Sequence, residues 1–122
     1  MSRERLELGK RGETLALKTL RELGYKILES NYRCRLGEID VVAREGKSLV
    51  FVEIKTRRGK SLGYAKEAVH RRKQRQISKV ALTYMKENHC EGAKARFDVV
   101  AINLGPKGAE VEVVKNAFEF AS

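Results

Sequence analysis

The run GEIDVVAREGKSLVFVEIKTR, residues 37–57, constrains the fold more than any other part of the chain. Two extended segments, about 38–44 and 48–56, flank REGK, where Gly46 can take the positive φ of a tight hairpin turn. Val41, Val42 and Ala43 in the first segment, and Leu49, Val50, Phe51 and Val52 in the second, make both faces of both strands apolar. Strands of that kind sit in the middle of a sheet, covered by helices on each side. Charged residues nevertheless break into them, at Glu38 and Asp40 and again at Glu53 and Lys55. A buried charge is costly unless it is paired or ligated, so these positions are the first candidates for chemistry. Simple alternation puts Glu38, Asp40 and Val42 on one face and Ile39, Val41 and Ala43 on the other, while Leu49, Phe51, Glu53 and Lys55 share a face.

The rest of the chain supplies the covering layers. Residues 3–23 read as a helix closed by Gly24, with Leu6, Ala16, Leu17, Leu20 and Leu23 on its apolar stripe. Glu13 falls in that stripe, and Gly9 and Gly12 make the helix slender enough for close approach. A strand follows over 25–33. After the hairpin, RRGKSLGYA reads as a basic loop leading to a second helix over about 64–88. Its inner stripe holds Ala65, Val69, Ile77, Val80, Ala81, Tyr84 and Met85, with Lys73 and Gln76 in the same band. A strand over 95–103, interrupted by Asp98, a strand VEVVKNA and an apolar tail with Phe118 and Phe120 complete the order α-β-β-β-α-β-β. At 122 residues this is one α/β domain over 1–122, with a core over about 3–115 and a short C-terminal tail.

Charge narrows the partners. Lys and Arg number 26 against 16 acids. Nine of the basic residues lie between 57 and 79 (Arg57, Arg58, Lys60, Lys66, Arg71, Arg72, Lys73, Arg75 and Lys79), against Glu67 alone. Such concentration points to a polyanion, most simply nucleic acid, over the alternative of a solvated helix face. Cys34 and Cys90 form no CxxC pair, and His70 and His89 have no zinc spacing, so free thiols and no zinc are expected. The start MSRERLELGKRGE lacks a secretory apolar segment and no run is long enough to span a bilayer, so a cytoplasmic protein without a membrane partner is expected.

The charged strand residues can form one constellation. Glu53 and Lys55 project to the same face about 7 Å apart, and strand pairing can bring Asp40 beside Glu53. Glu13 is available from the packed helix, and Glu38 is a secondary candidate. Hard oxygen donors of this kind suit Mg²⁺, with Mn²⁺ as the alternative. A lysine beside them can orient water or neutralise charge developing on a phosphoryl group. The structural alternative is a Glu53–Lys55 salt bridge with Asp40 capping a turn.

The motifs GEID and FVEIKTR, the GE on the first helix and RFDVV resemble the YraN-like family of small bacterial proteins. That family is similar to the archaeal Holliday junction resolvases of the PD-(D/E)xK nuclease superfamily. The resemblance runs from the first helix to about Asn103 and implies a restriction-endonuclease-like core, a central mixed sheet flanked by helices. It assigns Glu13 as the helix-borne acid, Asp40 as the metal-binding aspartate, Glu53 as the second acid and Lys55 as the lysine. Lys73 and Gln76 lie where an auxiliary polar residue is found, and Ile39 stands where the superfamily name has proline. The function implied is a Mg²⁺-dependent endonuclease acting on DNA, branched or otherwise structured, as a two-fold homodimer. An exposed strand edge or the Phe118 and Phe120 tail would supply the interface. The alternative is a non-catalytic nucleic-acid-binding or accessory protein with a vestigial site. An RNA, ribosome or anionic membrane partner ranks lowest, for want of an aromatic RNA-binding signature.

Overall fold

Chain order and sheet order coincide in this protein. The computed structural model describes residues 3–58 and 69–121, and among these the elements are α1 (Arg3–Glu22), β1 (Lys26–Cys34), β2 (Gly37–Glu45), β3 (Ser48–Arg58), α2 (Arg71–Glu87), β4 (Ala95–Gly105) and β5 (Gly108–Phe118). The five strands pair as β1-β2-β3-β4-β5. Neighbours are antiparallel except β3 and β4, which run parallel from Leu49↔Ala95 to Arg58↔Leu104. A parallel pair needs a long crossover, and α2 lies within it. The expected α/β order and the mixed sheet flanked by helices are both present. Among the described residues no helix is long and apolar enough to cross a membrane.

Each helix covers one apolar face. Under α1, Ala16 and Leu20 pack against Val41, Ala43, Val50, Val52, Val100 and Ile102. Under α2, Ile77, Val80, Ala81, Tyr84 and Met85 pack against Ile39, Val42, Leu49, Phe51, Phe97 and Val99. Asp98, which interrupts the apolar run of β4, is wholly buried and fully satisfied. It accepts from the Tyr25 hydroxyl at 2.6 Å, Arg96 Nε at 3.0 Å and the Asn116 amide at 2.9 Å. Arg96 and Lys115 both continue to Glu45, so the network ties together three strands, β2, β4 and β5, and the residue that leads into β1.

Several sequence expectations are corrected. The second helix, expected over about 64–88, does not run through Val69 and His70: α2 spans Arg71–Glu87. His70 is extended (φ −70, ψ 158), and the Gln74 side chain donates to the Val69 carbonyl at 2.9 Å, satisfying the chain just ahead of the helix. Val69 is buried at a bend just ahead of His70, while Tyr64 and Ala65 lie outside the described residues. On α1 the line facing the sheet is the i+4 row Gly12, Ala16, Leu20; Leu6 and Leu23 fall off it and are half exposed. Phe118 is no free tail residue: it is buried and stacks on Phe97 at 4.7 Å, because β5 runs on through it. Phe120 rests edge-on against the same Phe97 ring and is 42% exposed.

Gly12 marks where α1 crosses β3. A Cβ there would stand 2.0 Å from Thr56 Oγ1 and 2.8 Å from its Cγ2, whereas at Gly9 it would meet nothing within 4 Å. Of the two helix glycines, only Gly12 makes a close approach. Gly12→Ala is expected to lower stability in urea unfolding by about 1–3 kcal/mol through overpacking, although alanine favours a helix by about 1 kcal/mol over glycine. Adding Thr56→Ala should recover part of the loss; a stabilised Gly12→Ala protein would show that the contact is not tight.

Candidate active site

The hairpin ladder of β2 and β3 runs from Glu45↔Ser48 to Val41↔Val52 and then stops. Beyond it Asp40 Oδ2 accepts the Ile54 backbone N–H at 2.8 Å, so a side chain takes over from the partner strand. The substitution breaks the simple alternation. Ile39 packs with Val42 under α2 while Val41 packs under α1, which corrects the grouping of Ile39 with Val41. Asp40 in turn opens on a cleft of about 750 Å³ that it shares with Glu13, Lys10, Asn31, Glu38 and Lys55. The fork between two strands is thus what exposes the aspartate.

Glu53 lies behind it, 7% exposed and near enough for the two carboxyl groups to act on each other. Two neighbouring carboxyl groups resist both being ionised. Burial, and then the Asp40 charge, push the Glu53 carboxyl up to about 7, against the pull of Lys73 and Lys55. Asp40 is also raised, chiefly by burial, while the Ile54 amide and the two lysines oppose the rise. The charges of both lysines are therefore felt by both carboxyl groups. Lys73, in the first turn of α2 on the other side of the sheet from α1, acts on the pair through its charge.

The other expected residues are placed as follows. Glu13 lines the cleft, and its Oε1 accepts from Asn31 Nδ2 at 3.0 Å. Glu38 pairs with Arg33 at 2.9 Å on the rim. Gln76 donates to the Leu36 carbonyl at 3.2 Å and so holds the β1–β2 turn, away from the cleft lining. Arg57 and Arg58 are exposed at the end of β3, and Arg71, Arg72 and Arg75 are exposed on α2. Lys60 and Lys66 lie outside the described residues. The first turn of α2 holds no acid, and its N-cap residue His70 makes no side-chain cap. Cations at the positive end of a helix dipole are unfavourable.

Sequence reasoning missed Asn31. It adopts φ 55 within a strand, and the signal was an asparagine, a poor strand former tolerant of positive φ, in the middle of ESNYR.

Among the described residues no three His, Cys, Asp or Glu side chains gather into a group that could hold a metal ion. Asp40 and Glu53 remain a two-carboxylate donor set whose mutual repulsion a dication would relieve, and Mg²⁺ is commonly held by one or two carboxylates plus waters and substrate phosphates. The pair therefore fits Mg²⁺ or Mn²⁺.

A family model matches residues 12–102, a span that contains Glu13, Asp40, Glu53, Lys55 and all of α2. The chain belongs to the uncharacterised protein family UPF0102. Among similar UPF0102 proteins, that of Syntrophus aciditrophicus is 49% identical over 118 residues, covering 97% of this chain and 93% of its own. That of Geobacter metallireducens is 50% identical over 121 residues, covering 99% of each. The YraN-like resemblance is borne out by this membership. A solved structure, Pyrococcus furiosus SfsA in complex with Ca²⁺, aligns with a TM-score of 0.39 and 14% identity. The alignment covers 92% of this chain and 63% of that one, so this UPF0102 protein spans less than two thirds of it. A likeness that weak carries no argument about the site.

The geometry yields two expectations. Because the folded-state value of Glu53 is raised from 4.5 to about 7, the folded chain keeps a proton over that range which the unfolded chain has lost. The associated stability is full at the acid end and is lost as pH rises to about 7. Thermal melting of the metal-free protein should therefore fall between pH 5 and 8, and Glu53→Gln should flatten the fall; an unchanged profile in the variant would locate the effect elsewhere. Separately, Arg71→Glu with Arg72→Glu should raise stability by about 0.3–1 kcal/mol per site while weakening nucleic-acid binding in a titration. Destabilisation would show that these arginines serve the fold.

Proposed function

We propose that this UPF0102 protein is a divalent-metal-dependent endonuclease that hydrolyses phosphodiesters of DNA, in particular branched or otherwise structured DNA. The observation that carries this reading is the Asp40–Glu53 pair, one member buried and the other open to the cleft, within the field of Lys55 and Lys73. Carboxylates brought together at a cleft against their own repulsion are a mark of functional sites rather than of packing.

Asp40 and Glu53 would hold the ion, with Glu13 facing the same cleft. Bound Mg²⁺ supplies Lewis-acid polarisation of a phosphoryl oxygen and a hydroxide source near neutral pH. The chain does the rest. The Ile54 amide fixes the orientation of the Asp40 carboxylate. The Lys55 ammonium balances charge that builds on the phosphoryl oxygens in the transition state. Arg57, Arg58, Arg71, Arg72 and Arg75 take phosphates on either side of the scissile one, and the acid-free first turn of α2 receives an anion where it lacks one of its own. A symmetric dimer through an open sheet edge, β1 or β5, would suit paired cuts in two strands.

Nicking of linear, flapped and four-way DNA in Mg²⁺ or Mn²⁺, abolished by chelation, is the direct test. Asp40→Asn and Lys55→Ala should each slow cleavage by about 10²–10³-fold while DNA affinity stays within a few-fold and the melting transition is kept. One observation favours a second reading, a non-catalytic DNA-binding protein: Glu13 is held by Asn31, and among the described residues no third ligand joins the pair. That reading expects the same DNA binding with no cleavage. If neither ion supports nicking of any of the three substrates, and none binds in a manner that depends on Asp40 and Glu53, the enzyme reading fails.

A further inference from the structure

Helix α1 carries a second basic surface that the candidate site does not use. Lys10, Arg11, Lys18 and Arg21 are exposed, and the helical period sets them with Thr14 on the back of α1, opposite the buried Gly12–Ala16–Leu20 line. Between residues 8 and 21 the single acid is Glu13, which faces the cleft and Asn31 instead. Glu7, one turn earlier, is paired with Arg3 at 3.5 Å. Among the described residues none of the four stripe cations forms an ion pair.

The stripe is continuous with the cleft. Lys10 lines the cleft beside Glu13 and Asp40. It also lines a shallow groove of about 370 Å³ that continues past Arg11, Thr14 and Lys18 to Leu104 and Ala109 at the β4–β5 hairpin. From Lys10 to Arg21 the helix rises roughly 16 Å, enough to follow several phosphates of one strand. The other cationic surface, Arg71, Arg72 and Arg75 on α2, lies across the sheet.

We propose that the back of α1 is a phosphate track for duplex DNA leading away from the cleft. The inference rests on the nucleic-acid reading of the cleft and goes beyond it, since it assigns a second contact surface. The two basic surfaces face away from one another across the sheet. One straight duplex cannot lie along both, so DNA engaged by α2 reaches the α1 track by bending or through a second arm.

The test is the salt dependence of binding to a linear duplex and to a four-way junction of the same arms. Arg11→Gln, Lys18→Gln and Arg21→Gln are combined, leaving Lys10 at the cleft in place; glutamine is a good helix former, and melting checks the fold. The control is Lys26→Gln, Lys47→Gln and Lys94→Gln, an equal loss of exposed charge near the β2–β3 turn and the chain leading into β4. The α1 triple should reduce the slope of log affinity against log salt by about 0.9 per lost contact, roughly 2.7 in all, and weaken low-salt binding on the order of tenfold or more. The control should leave the slope nearly unchanged. Equal effects from the two triples, or no effect from the α1 triple, would mean a merely solvated helix face and overturn the track. So would an α1 triple that keeps its DNA binding but loses binding to phosphatidylserine vesicles. Binding and slope loss without any cleavage supports the track and overturns only the nuclease reading, whereas a wild-type chain that binds no DNA overturns both.

Discussion

A single hydrogen bond, from the Ile54 amide to the Asp40 carboxylate, lets the central hairpin come apart without leaving a donor stranded. A buried N–H without a partner costs about 1–3 kcal/mol, so a sheet does not open in its interior unless something replaces the lost ladder. Here the replacement is itself the candidate ligand. The same contact ends the β2–β3 register, shifts Ile39 to the α2 side, opens the cleft to Glu13 and Lys55, and leaves Glu53 behind the opening. Structure and chemistry share one atom.

Two acidic clusters among the described residues differ in a way that separates scaffold from site. Asp98 is enclosed by a tyrosine hydroxyl, a guanidinium and a backbone amide, each in hydrogen-bond contact, and the network ends in further ion pairs at Glu45. Its charge is fully answered within the chain. Asp40 and Glu53 answer each other instead, and the nearest cations act on them through the field, without an ion pair among the described residues. A satisfied network rigidifies a fold, whereas an under-compensated pair of carboxyl groups is open to a cation from outside.

Much of this was legible in the residues. The apolar hairpin with Gly46 at its turn, the inner stripe of α2 from Ile77 to Met85 and the order of elements all follow from local periodicity, and the structure repeats them. Asp40, Glu53 and Lys55 stood out because charge in a doubly apolar strand needs a partner or a ligand. What could not be read were events decided by tertiary contact. Period-two alternation assumes an unbroken ladder, so it misplaced Ile39 where the Asp40 side chain intervenes. Val69 looked helical because a buried residue at the right spacing cannot be told from one at a bend just ahead of the helix. Phe118 looked like a tail because its burial depends on a partner, Phe97, twenty-one positions earlier in the chain. Asn31 was hidden because its role lies in the helix acid it holds, not in any motif of its own.

The meeting of Gly12 with Thr56 has a mechanical meaning as well as a steric one. Glu13 follows Gly12 and Lys55 precedes Thr56, so the two walls of the cleft are joined next to the groups that face into it. The contact acts as a stop: α1 cannot move closer to β3, and the separation between the helix acid and the strand acids is set near the level of the backbone. Whatever adjustment a guest in the cleft demands must then come from the torsions of Glu13 and Lys55 themselves, over a frame of constant width.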